Sequence, residues 1–299
     1  MVIKKNISKI YYIFLFSHIF LWTLIPSISN TNLPLDTIEA LAWGSNLDWG
    51  FNKHPPFSAF VAQIFYLIFG PKDWAYYFLS QIFVIISFIY VWKFSNEIFE
   101  NKIYSLISLL ALEGILFYNF TTPEFNVNIS QLPFWALTVY FFWKGIHSDS
   151  INNWIFFGFF SALGFLSKYL FIYILFSIFL FFIINFKRYK NFLIYYILSI
   201  IFSLIILTPH FIWLFHNDFI TIFYGLERSN LSDYSFINHL LNPFSLLLKQ
   251  LVLLSPFFLL IFFLVSKFKF KINIKNEKTF FLTFITLFPF VLIFLTSML

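Results

Sequence analysis

Apolar runs of about 20 residues, repeated along a chain between short polar stretches, leave one class of fold open: helices crossing a lipid bilayer. Such runs lie near residues 10–29, 74–93, 103–120, 129–146, 154–167, 169–185, 191–214, 244–265 and 279–298. They predict an all-α polytopic membrane protein with nine spans. The first run follows Lys4, Lys5 and Lys9 and is long enough to read as an uncleaved span rather than a signal peptide. Composition agrees with a membrane protein. Only 11% of residues are charged, against roughly 25% in a soluble domain.

A further apolar run at 57–69 is too short to cross, and charge decides its place. Short cytoplasmic loops collect Lys and Arg. If 57–69 lies flat on the outer face and the N-terminus is inside, the inner segments hold Lys4, Lys5, Lys9, Lys93, Lys102, Lys144, Lys187, Arg188, Lys190, Lys267, Lys269, Lys271, Lys275 and Lys278. These are 14 of the 19 basic residues. A crossing at 57–69 would export both of the most basic loops. The net charge of +6 is therefore assigned to cytoplasmic loops, not to a nucleic-acid surface. The outer face is left with two sizeable loops, 30–73 and 215–243, where Asp36, Glu39, Asp48, Asp73, Asp218, Glu227 and Asp233 fall. Glu124 lies on the same face.

These scarce charges are the candidate chemistry, and each also admits a plain structural reading. Asp36 is either an N-cap of a short helix, with Glu39 three residues on, or a carboxylate that takes a proton from an acceptor hydroxyl. Lys53 and His54, stiffened by Pro55 and Pro56, are either an interfacial anchor or an anion site. Glu124 is either a helix-start acid or, with Asn126 and Asn128, part of a sugar or metal set. Lys168 lies at the outward end of a span, where it either snorkels or serves a substrate. Arg228 either pairs with Glu227 or holds a phosphate bidentately. The chain has no Cys, so disulfides and thiolate chemistry are excluded. No His spacing forms a metal motif, and no nucleotide-binding loop occurs.

The stretch "EALAWG…LDWGFNKHPPFSAF…LIFGPKDW" after an Asp at the end of the first span resembles the first outer loop of family 39 glycosyltransferases of GT-C fold. "TTPEFNVNISQLPFWALTVYFFW", "LGFLSKYLF" and "LTPHFIWLFHNDF…FYGLERSN" follow in the family's order. The resemblance runs over nearly the whole chain as a single domain, 1–299. It implies a bacterial inner-membrane transferase that moves one sugar from a polyprenyl-phosphate donor to a lipid or glycan acceptor at a periplasmic site. It casts Asp36 and Glu124 as the catalytic acids. Lys53, His54, Lys168 and Arg228 become donor-phosphate contacts, and Glu39, Asn126 and Glu227 substrate contacts. A divalent metal ion is the one cofactor this implies, and Asn52, standing where relatives often carry an acid, weakens it. Relatives usually continue beyond "LTSML", so the chain is expected to be a fragment or a short member. The rival functions are a carrier for lipid-linked sugar and an inactive accessory subunit.

Overall fold

The computed structural model describes residues 2–228, 236–265 and 276–297. Asp233, Lys267, Lys269, Lys271 and Lys275, used in the charge count, lie outside the described residues. The first half holds α1 (Val2–Ser29), α2 (Leu35–Gly44), α3 (Phe57–Phe69), α4 (Asp73–Ile98), α5 (Lys102–Leu110), α6 (Val127–Gly145) and α7 (Ile151–Ser167). The second holds α8 (Ile172–Ile184), α9 (Phe186–Tyr189), α10 (Leu193–His216), α11 (Ile220–Arg228), α12 (Phe236–Leu253), α13 (Ser255–Val265) and α14 (Glu277–Thr296).

Among the described residues, four helical stretches are long and apolar enough to cross a membrane: Asn6–Ser29, Asp73–Ile98, Phe186–His216 and Glu277–Thr296. A fifth is the pair Leu241–Leu253 and Ser255–Val265, bent by 48°. Helix α3 is among the shorter apolar helices, as are Ile151–Ser167 and Tyr169–Ile184. The run expected to cross at 103–120 is not one helix. It leaves α-geometry after Leu110 and continues as 3₁₀ turns at Ala111–Gly114 and Leu116–Tyr118. Two side chains explain the break. Glu113 turns toward His18 of α1, whose Nδ1 lies 2.5 Å from Glu113 Oε1. The Asn119 amide donates to the Glu113 carbonyl at 2.7 Å, occupying a group that a continuous helix would use.

The bundle is glued by aromatics. Phe125, Phe142, Trp154, Phe171, Phe181, Phe182 and Phe281 are fully buried in one cluster. Helices α7 and α10 approach closely at Gly158, where an added Cβ would sit 2.4 Å from the Ser199 carbonyl oxygen. Small residues permit this contact, which suits helices packing without a hydrophobic driving force. Large apolar side chains such as Ile194, Ile205, Phe215 and Phe263 point outward, as a lipid-facing surface requires.

Helix α6 separates the charges. At its C-terminal end, Lys144 pairs with Glu97 at 3.1 Å and His147 lies 3.1 Å from Glu277, which also binds Arg188. Lys278 donates to the carbonyls of Glu97 and Ile98. Asn126 and Asn128 stand at the other end, about 28 Å away along 19 residues. Groups assigned by charge count to the inside thus gather at one end, and the candidate site residues at the other.

Candidate active site

Helix α2 is not capped by Asp36. Its N-cap is Pro34, which contributes no side-chain bond, and Asp36 lies in the first turn. The N-cap expectation therefore fails, and it fails because another segment supplies the cap. Glu124 Oε1 accepts the Asp36 N–H at 3.1 Å. A carboxylate at a helix N-terminus also suits the macrodipole. With its backbone held from outside, the Asp36 side chain is free to serve something else.

Asn126 joins the two acids. Its Oδ1 accepts from the amides of Asn128 (2.9 Å) and Ile129 (3.2 Å), capping α6. That fixes which end of the side chain is NH₂. The Nδ2 donates to Asp36 Oδ2 at 3.3 Å and Glu124 Oε2 at 3.4 Å. Buried bonds brace the segment. Thr37 donates to the Phe125 carbonyl at 3.2 Å, and Gln81 donates to Thr122 at 2.8 Å.

The cations approach from other elements. Lys53 is paired with Glu39, and the hydrogen bond it donates to that carboxylate holds its ammonium pKa up. Lys168, at the break between α7 and the turn Tyr169–Phe171, donates to Asn128 Oδ1 at 2.5 Å. Burial lowers its pKa, and the Arg228 charge lowers it further while Asp36 opposes. Arg228 ends α11 exposed, makes no ion pair with Glu227 among the described residues, and is felt at both Lys168 and His54. Glu227 is exposed beside Arg228 at the end of α11. The structure thus brings together Asp36, Glu124, Asn126, Glu39, Lys53, His54 and Lys168, with Arg228 at the edge.

His54 is neutral at pH 7. Burial pushes its pKa down to about 4, with Lys168 adding to the effect and Asp36 opposing it. The neutral imidazole contributes stability above about pH 6.5, its ordinary value, and that contribution is lost as pH falls toward 4. An anion beside the ring favours the imidazolium. His54 should therefore titrate near 4 in the free chain and higher with an anion bound beside it, as read by the NMR shift of its ring protons. A free-chain midpoint at the ordinary 6.5 would contradict the burial.

Several partners escape sequence reasoning. The loop at Trp49–Phe51, just before Lys53, is pinned from α10 and α11. His210 Nδ1 meets the Trp49 carbonyl at 2.6 Å, and Thr221 donates to the Phe51 carbonyl at 2.5 Å. His210 Nε2 lies 2.7 Å from the Tyr169 hydroxyl. Tyr224 is near enough to raise the Lys53 pKa. Residues 221, 224 and 228 recur at helical spacing, a signal that could have found Tyr224. His210 shows no metal-ligand spacing, and its partners are a backbone carbonyl and a tyrosine hydroxyl from distant segments.

A divalent ion does not fit well here. Asp36 and Glu124 supply two carboxylates, Asn126 Oδ1 is occupied by α6, and the described residues hold no group of three His, Asp or Glu that could hold a metal.

Apolar helices packed in a bundle, with paired acids at one end, describe a polytopic membrane protein. The sequence profile described as dolichyl-phosphate-mannose-protein mannosyltransferase matches residues 53–213, and the chain belongs to that family. It is similar to the undecaprenyl phosphate-alpha-4-amino-4-deoxy-L-arabinose arabinosyl transferase of Wigglesworthia glossinidia brevipalpis, 29% identical over 127 residues. That alignment covers 41% of this chain and 22% of the relative. Its fold is similar to the crystal structure of ArnT from Cupriavidus metallidurans in the apo state, with a TM-score of 0.58 and 12% identity. The likeness covers 97% of this chain and 59% of that one. The chain thus spans about three fifths of the solved relative.

Proposed function

We propose that this chain transfers one sugar from a polyprenyl-phosphate donor to a lipid or glycan acceptor, on the periplasmic side of a bacterial inner membrane and with its N-terminus in the cytosol. The observation that carries the reading is the pair Asp36 and Glu124, joined by one Asn126 amide and faced by Lys53, Lys168 and Arg228. Glycosyl transfer needs a base on one side of the anomeric carbon and cations on the other. Asp36 takes the proton of the acceptor hydroxyl. The freed oxygen attacks the anomeric carbon, the bond from that carbon to the phosphate oxygen breaks, and its electron pair leaves with the polyprenyl phosphate. Lys53, Lys168 and Arg228 stabilise that departing charge. Glu124 holds the turn that presents Asp36, and Glu39 holds Lys53. The names of the matched family and of the similar arabinosyl transferase, both built on a polyprenyl phosphate, support a lipid-phosphate donor.

One observation favours a carrier instead: Glu113 and His18 meet where a helix is broken, a feature of transporter sites. Vesicles containing the chain, undecaprenyl-phosphate-linked radiolabelled sugar and a lipid acceptor fraction separate the two. Label moving to the acceptor, with release of undecaprenyl phosphate, is the expected result. Label that changes leaflet while staying on its donor would replace transfer by carriage.

A further inference from the structure

His210 is fully buried in α10, and both ring nitrogens are occupied. A ring nitrogen facing a carbonyl must carry the proton, so Nδ1–H donates to the Trp49 carbonyl and Nε2 accepts the Tyr169 hydroxyl. The two partners sit on different parts of the site. Trp49 opens the loop that carries Lys53 and His54. Tyr169 follows Lys168 directly.

The surroundings leave this loop little freedom. Gly50 lies against the Trp213 ring so closely that an added Cβ would come within 2.3 Å of it. The His210 and Trp213 rings are parallel, 6.2 Å apart. Thr221 sits beside Tyr169 and gives its proton to Phe51. Three consecutive residues, 49 to 51, are therefore held by side chains 210, 213 and 221, and two of these, His210 and Thr221, also reach Tyr169 in the Lys168 segment.

We propose that His210 is a positioning residue for donor binding: its neutral ring sets the separation of the Lys53 loop from Lys168, so that both lysines meet one phosphate. This rests on the reading of the site as a polyprenyl-phosphate site. An amide can replace the ring's function, because it too carries one donor and one acceptor. A leucine cannot.

Undecaprenyl phosphate binding to the full chain in lipid nanodiscs tests this by native mass spectrometry. H210L should weaken binding about tenfold, and H210Q should stay within about threefold of the wild type. Lys53→Ala and Lys168→Ala should be coupled in the His210 background, their combined loss differing about fivefold from the product of the single losses. In H210L that coupling should vanish, a result that general loosening of the fold does not produce. Binding by H210L equal to wild type, or coupling that survives in it, overturns the inference alone. If H210L fails to fold, Tyr169→Phe carries the test by removing the hydroxyl that meets His210 Nε2 and Thr221: about threefold weaker binding supports the inference, and unchanged binding overturns it. A wild-type chain that does not bind undecaprenyl phosphate overturns the reading of the site and this inference together.

Discussion

Asp36→Asn should lower the transfer rate by about 10²–10⁴-fold while donor binding stays near wild type. Asn keeps the size of the side chain and can still accept from the Asn126 amide, as Asp36 Oδ2 does at 3.3 Å. It cannot take a proton from the acceptor. The substitution leaves α2 undisturbed, because the Asp36 side chain caps nothing and the residue's own N–H is held by Glu124. Initial rates in vesicles, with undecaprenyl phosphate binding measured beside them, are the test. A variant with full transfer activity would remove Asp36 as the base.

Glu124→Ala should also inactivate, but by a different route. Each Glu124 oxygen accepts from one donor, the Asp36 N–H and the Asn126 amide. Alanine frees both, and loss of the helix cap alone costs about 0.5–2 kcal/mol. Glu124→Gln has one acceptor oxygen and can serve only one of the two donors. Activity should therefore fall in the order wild type, Gln, Ala. Hydrogen exchange at the first-turn amides of α2 should be fast in the Ala variant and slow in the Gln variant. Slow exchange in Glu124→Ala would mean that the cap does not depend on Glu124.

The two acids were visible in the sequence as scarce charges on one face, and so were Lys53 and Lys168. What joins them was not. Asp36 and Glu124 are 88 positions apart, and the local grammar of helix caps assigned Asp36 a role that Glu124 fills for it. Asn126 looked like a sugar contact, yet half of its amide is used by α6. The break after Leu110 was hidden for a similar reason. Counting apolar residues tolerates one Glu and one Gly in a span, whereas the bond between Glu113 and His18, 95 residues away, bends the chain out of the helix. Long apolar helices follow from composition alone. Donor–acceptor pairs between them depend on geometry that no local pattern contains.

Asn126 has a further consequence for how this molecule comes into being. The same amide starts α6 and tethers both acids, so the reactive arrangement cannot exist in a chain whose sixth helix has not yet seated. A chain inserted only as far as α5 would hold its two carboxylates apart. The pairing of the two acids thus waits on the start of α6.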